Sequence, residues 1–397
     1  MDDELAHEVG NRVRQIRLAN RQTREVVAGL SGITADYLYQ VERGRKLPTL
    51  PVLLALARSL RRPASDLLPP ATVRPARRLV ARPGSTEIHR ALTVPITRPA
   101  EPVNGLEIGR RIREAWRTWQ RSPSRYTDLT GVLPGLIADA EHVLREQPGN
   151  RSNACAVELY GLVRTVSKRI GRLDSALLAA DRAVRASENA GSPTLRAAAA
   201  WNMAHVLLAD KQADGAETVV AHAIAAIRES DQAATLDGLA IQGALLSVGS
   251  VVQARAGNPW LAREQLSEAA KIASVTGERN TAWTAFGPTS VAMHVVSLEL
   301  ESGEVAQALR LAETVDPPGG MSIERRVAFL LDQARGYVQR RDYHGALVAV
   351  QTANGTAPED VLHRPAAHAV VHAIVRQGRA NAARQGAALA EQLGIPV

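Results

Sequence analysis

Residues 23–44 read TREVVAGLSGITADYLYQVERG, and this stretch decides how the first part of the chain folds. Thr23 and Thr34 stand where helix N-caps are expected, because a threonine hydroxyl accepts a hydrogen bond from an unpaired N–H of the first turn. Gly32 permits a tight turn between the two helices. Apolar residues recur at helical spacing and are expected to meet in one core: Val27, Ala28, Ile33, Leu38 and Val41. The stretch therefore predicts two short helices held at a fixed crossing angle.

Short amphipathic segments continue on both sides of this pair. Apolar residues at helical spacing predict one helix within residues 5–17 and others within 26–30, 35–43 and 52–60. The breaks between these segments leave room only for tight turns from helix to helix. We therefore predict a compact helical domain over residues 1–68.

The second helix of the pair carries residues that suit contact with DNA. A helix presented in this way can enter a major groove with its N-terminal residues nearest the base edges. Gln40 suits bidentate pairing with adenine, Ala35 the methyl group of thymine, and Asp36 the amino group of cytosine. Asp36 equally suits a purely electrostatic role at the helix N-terminus. The cations beyond the end of the helix suit contacts with phosphates. The predicted DNA-contacting residues of this region are therefore Thr34, Ala35, Asp36, Tyr39, Gln40, Arg43, Arg45 and Lys46.

Residues 8–68 resemble the helix-turn-helix domains of the lambda-repressor and Cro family, also called the xenobiotic-response-element family. The resemblance includes ERGRKLPT at 42–49 and the closing helix ending LARSL at 56–60. It implies sequence-specific binding to double-stranded DNA. It also implies a phosphate contact by Arg24, which stands where members of the family usually have glutamine. A dimeric protein of this kind would prefer a palindromic operator with half-sites ~34 Å apart, or a multiple of that.

A proline-rich segment follows this domain. Seven prolines fall within residues 69–103, interspersed with arginines at 74, 77, 78 and 82. Because proline lacks a backbone N–H and restricts the chain, we predict a semi-extended Arg/Pro-rich linker over this range.

Positive charge is concentrated in the linker and in the domain before it. Arg and Lys outnumber Asp and Glu by 11 to 8 in residues 1–68 and by 6 to 2 in residues 69–103, against 31 to 30 in the remainder. That distribution suits a polyanion partner at the N-terminal end.

After the linker, glycine and alanine recur five residues apart, at 171 and 176, 257 and 262, 303 and 308, and 378 and 383. Lys211 with Ala216 and Arg341 with Ala346 fit the same frame without the glycine. The pattern resembles the tetratricopeptide repeat family, in which glycine ends the first helix and a small residue lets the second pack closely. We predict a capping helical hairpin over 104–150 and a tetratricopeptide-like helical-hairpin solenoid over 151–397, so the fold class is all-α.

The resemblance also implies which side chains face the concave groove of the repeats. Asn202 stands where the repeat family often uses asparagine to hold the backbone of a ligand. A family of Gram-positive peptide-sensing regulators joins this head to such repeats, which suggests a peptide or small-molecule effector. An alternative left open is that the repeats serve only to form a homodimer. The implied ligand-binding residues are Trp201, Asn202, His205, His294, Asp332, Arg335, His368 and His372.

Other function classes find little support. The sequence contains no phosphate-binding glycine loop, no nucleophile elbow and no acid–base pair, so we predict no enzyme and no cofactor. His363, His368 and His372 have no acidic partner at metal-ligand spacing, so no metal site is predicted. A single cysteine, Cys155, excludes an intramolecular disulfide.

The start of the chain is acidic, and no uncharged run is judged long enough to span a bilayer, so we expect a cytoplasmic protein with no membrane association. The predicted function is a dimeric, sequence-specific transcriptional regulator. The alternative is a tetratricopeptide scaffold or adaptor that acts through protein–protein contacts.

Overall fold

The computed structural model describes residues 2–20, 22–67, 84–94 and 104–395. Within these ranges it contains twenty-two α-helices, one short 3-10 helix and no β-strand. The predicted all-α fold class is therefore confirmed. The chain forms two compact units, Met1–Ala81 and Arg82–Val397, which we call the head and the body.

The head is built from five helices. They are α1 (Asp2–Ala19), α2 (Arg24–Leu30), α3 (Ala35–Glu42), α4 (Leu50–Ser59) and α5 (Ala64–Leu67). The predicted pairing of residues 23–44 into two helices around a tight turn is confirmed, with Gly32 at a φ of +68°. The buried core of the head includes Val9, Val13, Val27, Ala28, Leu38, Leu56 and Leu60.

A helix lies within the segment predicted to be an extended linker. Helix α6 spans Ser85–Thr93, so the prediction of extended chain is wrong for these residues. Ile88 and Leu92 are buried in the body core, because their spacing places both on one face of a helix. The prolines at 83 and 95 flank the helix rather than interrupt it. The rest of the predicted linker, 69–83 and 95–103, lies outside the described residues.

The segment predicted to be a capping hairpin, 104–150, contains three helices. They are α7 (Gly105–Arg121), α8 (Arg125–Thr130) and α9 (Leu133–Glu146). The short α8 turns the chain between the two long helices. Trp116, Trp119 and Tyr126 are buried in the same core as the first repeat.

Six helical hairpins follow. The first three pair α10 (Asn150–Arg169) with α11 (Leu173–Glu188), α12 (Pro193–Ala209) with α13 (Ala213–Arg228), and α14 (Leu236–Arg255) with α15 (Pro259–Thr276). The last three pair α16 (Pro288–Glu301) with α17 (Val305–Glu313), α18 (Ile323–Gln339) with α19 (Tyr343–Thr356), and α21 (Pro365–Gln377) with α22 (Ala380–Gln392). The short α20 (Pro358–His363) precedes the last pair. The packing alanines of the first five pairs are fully buried, at 176, 216, 262, 308 and 346, whereas Ala383 of the sixth is half-buried.

The turns inside the hairpins explain the glycine frame. Gly171, Gly257 and Gly303 have φ values of +81°, +83° and +84°. Lys211 and Arg341 occupy the same left-handed conformation, with φ of +63° and +59°. This conformation is strained for residues other than glycine, because it brings the Cβ atom too close to the backbone carbonyl oxygen. Position 378 departs from the frame, because its φ is −68°.

Helix α14 is long and apolar enough to cross a membrane by length and composition, with a mean hydropathy of 1.3. About four-fifths of that apolar stretch, 78%, is buried inside the body. It packs against α13, α15, α12 and α16. Its apolar surface is thus used as the core of the repeats.

A buried ionic clasp joins the first helices of the body to its last repeats. Arg125 of α8 pairs with Asp360 of α20, which is fully buried, and Arg364 donates to the same carboxylate at 3.2 Å. Glu324 of α18 accepts from Arg169 of α10 at 2.8 Å. These five residues are called the ionic clasp below. It closes the body on itself, because α7 and α8 contact elements more than 200 residues further along the chain.

We expect Lys211→Gly and Arg341→Gly each to raise the free energy of unfolding of the body by about 0.5 to 1 kcal/mol. Glycine removes the left-handed strain, which exceeds the entropy it adds to the unfolded chain. Urea titration followed by tryptophan fluorescence measures this, because all five tryptophans lie in the body. Gly257→Ala is the matched reverse change and should destabilise. A lower midpoint for Lys211→Gly would contradict the argument.

We expect Asp360→Asn to destabilise the body by about 3 kcal/mol, because it leaves Arg125 and Arg364 buried without their carboxylate. The same tryptophan-detected titration measures the effect. Asp181→Asn is the control, since it breaks an exposed pair with Arg185 and should change stability by less than about 1 kcal/mol. Equal losses in the two variants would show that the clasp does not hold the body closed.

Candidate DNA-binding surface and body cavity

Caps and close contacts fix helix α3 in the head. The Thr34 hydroxyl accepts from the N–H of Tyr37 at 3.0 Å, and the Thr23 hydroxyl caps α2 in the same way at 3.4 Å. Helix α1 approaches α3 closely at Gly10, where a Cβ atom would lie 2.1 Å from the carbonyl oxygen of Val41. These contacts set the direction in which α3 leaves the core.

The buried carboxylate of Glu42, 3% exposed, ties three helices together at the end of α3. Arg17 of α1 donates to it at 2.5 and 3.1 Å, and Arg24 of α2 donates at 2.8 Å. Burial raises the pKa of the Glu42 carboxyl, but hydrogen bonds from both arginines outweigh burial and bring this pKa below its usual range. The Nε of Arg24 is therefore already engaged within the head. Its predicted phosphate contact stays a prediction.

The outward face of α3 brings most of the predicted residues together. Gln40 donates to Asp36 at 2.7 Å on the exposed surface. The guanidinium groups of Arg24 and Arg43 both approach the ring of Tyr39, at 5.1 and 5.6 Å from its centroid. Ala35 is half-buried against the core, while Thr34, Arg43, Arg45 and Lys46 are exposed. The Asp36–Gln40 bond was not predicted from the sequence, although the two residues stand four apart on one face of α3.

We expect Glu42→Gln to loosen the head by about 3 kcal/mol at neutral pH, because Arg17 loses a buried partner. The pKa of Glu42 is lower in the folded head than in the unfolded chain. The stabilisation is therefore complete above the unfolded pKa of ~4.3 and is lost as the pH falls through the folded value. Amide hydrogen exchange of residues 24–44, corrected for intrinsic rates at each pH, measures it. Glu25→Gln, at an exposed position, is the control, and equal exchange in both variants would refute this role.

A cavity of about 110 Å³ lies on the closed side of the body, between α7, α10, α12, α18 and the loop after α15. Two of the predicted ligand-binding residues line it, Trp201 and His205. His294 lines a smaller pocket that shares Trp201, His205 and Arg325 with the cavity. The cavity is lined by Trp116, Trp119, Gln120, Arg164, Thr165, Lys168, Arg169, Trp201, His205, Trp283, Thr284, Ala285, Ser322, Glu324, Arg325 and Ala328.

The other predicted ligand-binding residues lie away from the cavity walls. Asn202 is buried, accepts from Arg164 and donates to the Ala198 carbonyl at 3.0 Å, so its amide is used inside the protein. Asp332 and Arg335 pair with each other at 3.5 Å. His368 contacts the Leu362 carbonyl at 2.8 Å, and His372 belongs to the same helix, α21. Their role in ligand binding stays a prediction, because none of these five side chains lines the cavity.

One wall of the cavity is a strained loop. Ala282, Trp283 and Ala285 have φ values of +47°, +65° and +51°. Each such conformation costs of order 1–3 kcal/mol and persists only where the surroundings hold it. Trp283 stacks on Trp116 with ring centroids 5.4 Å apart and planes within 3°. Phe286 anchors the loop end, since a Cβ at residue 243 would lie 2.0 Å from its ring.

Basic groups crowd the cavity. Burial, together with the nearby charge of Arg169, lowers the pKa of Arg164 to about 9. Burial and the charges of Arg169 and Arg164 hold the pKa of Lys168 well below its usual range. Burial also depresses the pKa of His205 strongly, and it lowers that of His294 to about 3 with help from Arg325. Both imidazoles are therefore neutral near pH 7.

Sequence reasoning missed most of these lining residues. The frame of the repeats finds Trp201 and His205, but Trp116 and Trp119 reach the cavity only because the body closes on itself. Arg164 and Lys168, four residues apart and therefore on one face of α10, were the one available signal. Among the described residues, no three His, Cys, Asp or Glu side chains lie close enough to hold a metal ion.

Comparison with known proteins supports the assignment of the head. Residues 8–68 match the helix-turn-helix domain family, so the predicted helix-turn-helix is confirmed over that range. The narrower assignment to the lambda-repressor and Cro family stays a prediction, as does the tetratricopeptide assignment of the repeats. No curated protein matches the sequence.

Three solved structures are similar to the chain. PlcR of Bacillus thuringiensis, in complex with the peptide PapR7 and DNA, is 9% identical with a TM-score of 0.34, over 77% of this chain and 93% of PlcR. The apo form of the competence regulator ComR from Streptococcus vestibularis is 10% identical with a TM-score of 0.29, over 99% of this chain and 100% of ComR. Apo ComR from S. thermophilus is 13% identical with a TM-score of 0.27, over 79% and 95%.

Proposed function

We propose that this chain is a sequence-specific DNA-binding transcription regulator of the cytoplasm and not an enzyme. The observation that carries the proposal is the exposed face of α3, with cations at the end of the helix, in a head whose residues 8–68 match the helix-turn-helix domain family. A helix held in this way enters the major groove, where each base pair presents a distinct pattern of donors and acceptors.

The bond between Asp36 and Gln40 supports a role for Gln40 in base contact. The Gln40 amide uses one of its two N–H groups on Asp36, at 2.7 Å. Its other N–H and its carbonyl oxygen remain for the N7 and N6 edge of adenine, which is the bidentate contact that glutamine makes. In this proposal Asp36 holds the amide in position and does not read a base itself.

The cations after α3 suit the phosphates on either side. Arg43, Arg45 and Lys46 are exposed and follow the helix directly. Contacts of this kind fix the register on DNA and supply an affinity that falls with salt. The guanidinium of Arg43 also lies over the Tyr39 ring, which limits its freedom before binding.

We infer that the protein acts as a homodimer on a palindromic operator, with half-sites ~34 Å apart or a multiple of that. The body would form the dimer and bind a peptide or small-molecule effector. The cavity of about 110 Å³, lined by Trp201 and His205 from the predicted set, supports an effector site inside the body.

Selection of genomic DNA fragments by the purified full chain at fixed salt tests the proposal. We expect the wild type to enrich one palindromic site. Gln40→Ala should relax one base position, at a cost of about 1–3 kcal/mol, because one bidentate contact is lost. Arg43→Ala should weaken all sequences alike and reduce the salt slope by about 1.

Arg185→Ala is the matched control, since Arg185 is an exposed arginine of the body and should leave selection unchanged. Failure to enrich any sequence, with binding that vanishes at modest salt, would overturn the regulator proposal. The scaffold or adaptor function would then be the better description of the chain.

A further inference from the structure

We propose that the body cavity binds a small oxyanion, meaning a molecule that carries a carboxylate or a phosphate group. The inference deepens the proposed effector-binding role of the body and rests on it for its biological meaning. Its first support is charge, because four cations line the cavity against one carboxylate: Arg164, Lys168, Arg169 and Arg325 against Glu324.

The one lining carboxylate is already occupied. Glu324 accepts from the Nε of Arg169 at 2.8 Å through one oxygen and from the indole N–H of Trp119 at 2.9 Å through the other. Arg364 of the ionic clasp approaches it as well, at 4.0 Å. Within the part of the chain that the structure describes, no carboxylate pairs with the remaining three cations.

The donors of α10 face the cavity without enough acceptors. Arg164 is 3% exposed, and among the described atoms its Nε has no hydrogen-bond partner. Lys168 lies one turn further along the same face, and its ammonium group donates to the His205 carbonyl at 3.4 Å. A buried ionised donor without an acceptor is unfavourable, and an anion between these two side chains would satisfy both.

A third cation faces them from α18. The Nη1 of Arg325 donates to the Nε2 of His294 at 2.9 Å, because a guanidinium cannot accept. Its Nη2 donates to the Thr284 carbonyl at 3.5 Å, at the long end of hydrogen-bond distances. Cations on two helices therefore converge on one space, which is the arrangement that binds a multivalent oxyanion. The lowered pKa values of Arg164 and Lys168 agree with this, since a bound anion would raise both.

The walls limit the size of the ligand. Four of the five tryptophans line the cavity, and Trp116 and Trp283 close it as a stacked pair. The space of about 110 Å³ is more than the ~10–15 Å³ that one water molecule needs by the same measure, so it has room for a small ligand. Inorganic phosphate and malonate are therefore suitable probes of the site.

Tryptophan fluorescence of the full chain carrying Trp260→Phe tests the inference. Trp260 is 70% exposed and lies outside the cavity, so this change leaves only the four cavity tryptophans. Titration with phosphate, with malonate and with chloride at matched ionic strength distinguishes the ligand sources. We expect a saturable signal with phosphate, with malonate or with both, and none with chloride. The stronger of the two identifies the favoured group.

Variants of the cations test the site itself. Arg164→Met and Lys168→Met should each weaken anion affinity at least tenfold. Each should also raise the thermal midpoint without anion, because an unpaired buried charge is removed. A merely structural role of these residues predicts a lower midpoint instead. Arg185→Met, at an exposed position of α11, should change neither quantity.

Equal responses to all three anions, or lower midpoints in both methionine variants, would overturn the inference. DNA selection on the same preparation separates this result from failure of the regulator proposal. Enriched DNA without saturable anion binding would remove the oxyanion site alone. Saturable anion binding without enriched DNA would leave the site standing and remove the regulator proposal.

Discussion

The ionic clasp is the contact on which the form of the body depends. Six hairpins alone would leave an open concave surface, because each repeat packs only on its neighbours. Arg125 and Asp360 join helices 235 residues apart in sequence, and both side chains are almost completely buried. A buried pair of this kind contributes little net stability but strongly disfavours arrangements that separate its partners. The clasp thus joins the early and late helices of the body beside the cavity.

Closure also decides the chemistry of the cavity. Glu324 is held by Arg169 and Trp119, so the one carboxylate that lines the cavity among the described residues is already paired. Burial raises the pKa of Glu324, but Arg169, Arg364 and Arg125 hold it well below its usual range. The cations left over face aromatic walls, where an anion would be both paired and shielded from water.

The head uses a buried carboxylate in a similar way on a smaller scale. Glu42 gathers Arg17 and Arg24 from two other helices and so fixes the end of the helix that faces outward. Rigid presentation of α3 matters because base contacts tolerate little displacement. The exposed Asp36–Gln40 bond also restricts the side chain of Gln40, which is proposed to contact a base.

The helices, the caps and the repeat frame could be predicted from the sequence, because these depend on residues within a few positions of one another. Thr23, Gly32 and Thr34 predicted the helix-turn-helix, and the buried alanines predicted the first five hairpins. The predicted linker was wrong at residues 85–93, since the burial of Ile88 depends on α9 and α10. The cavity could not be predicted in this way, because Trp119, Arg164 and Trp283 line it only when helices far apart in the sequence pack together. No local pattern encodes such a contact.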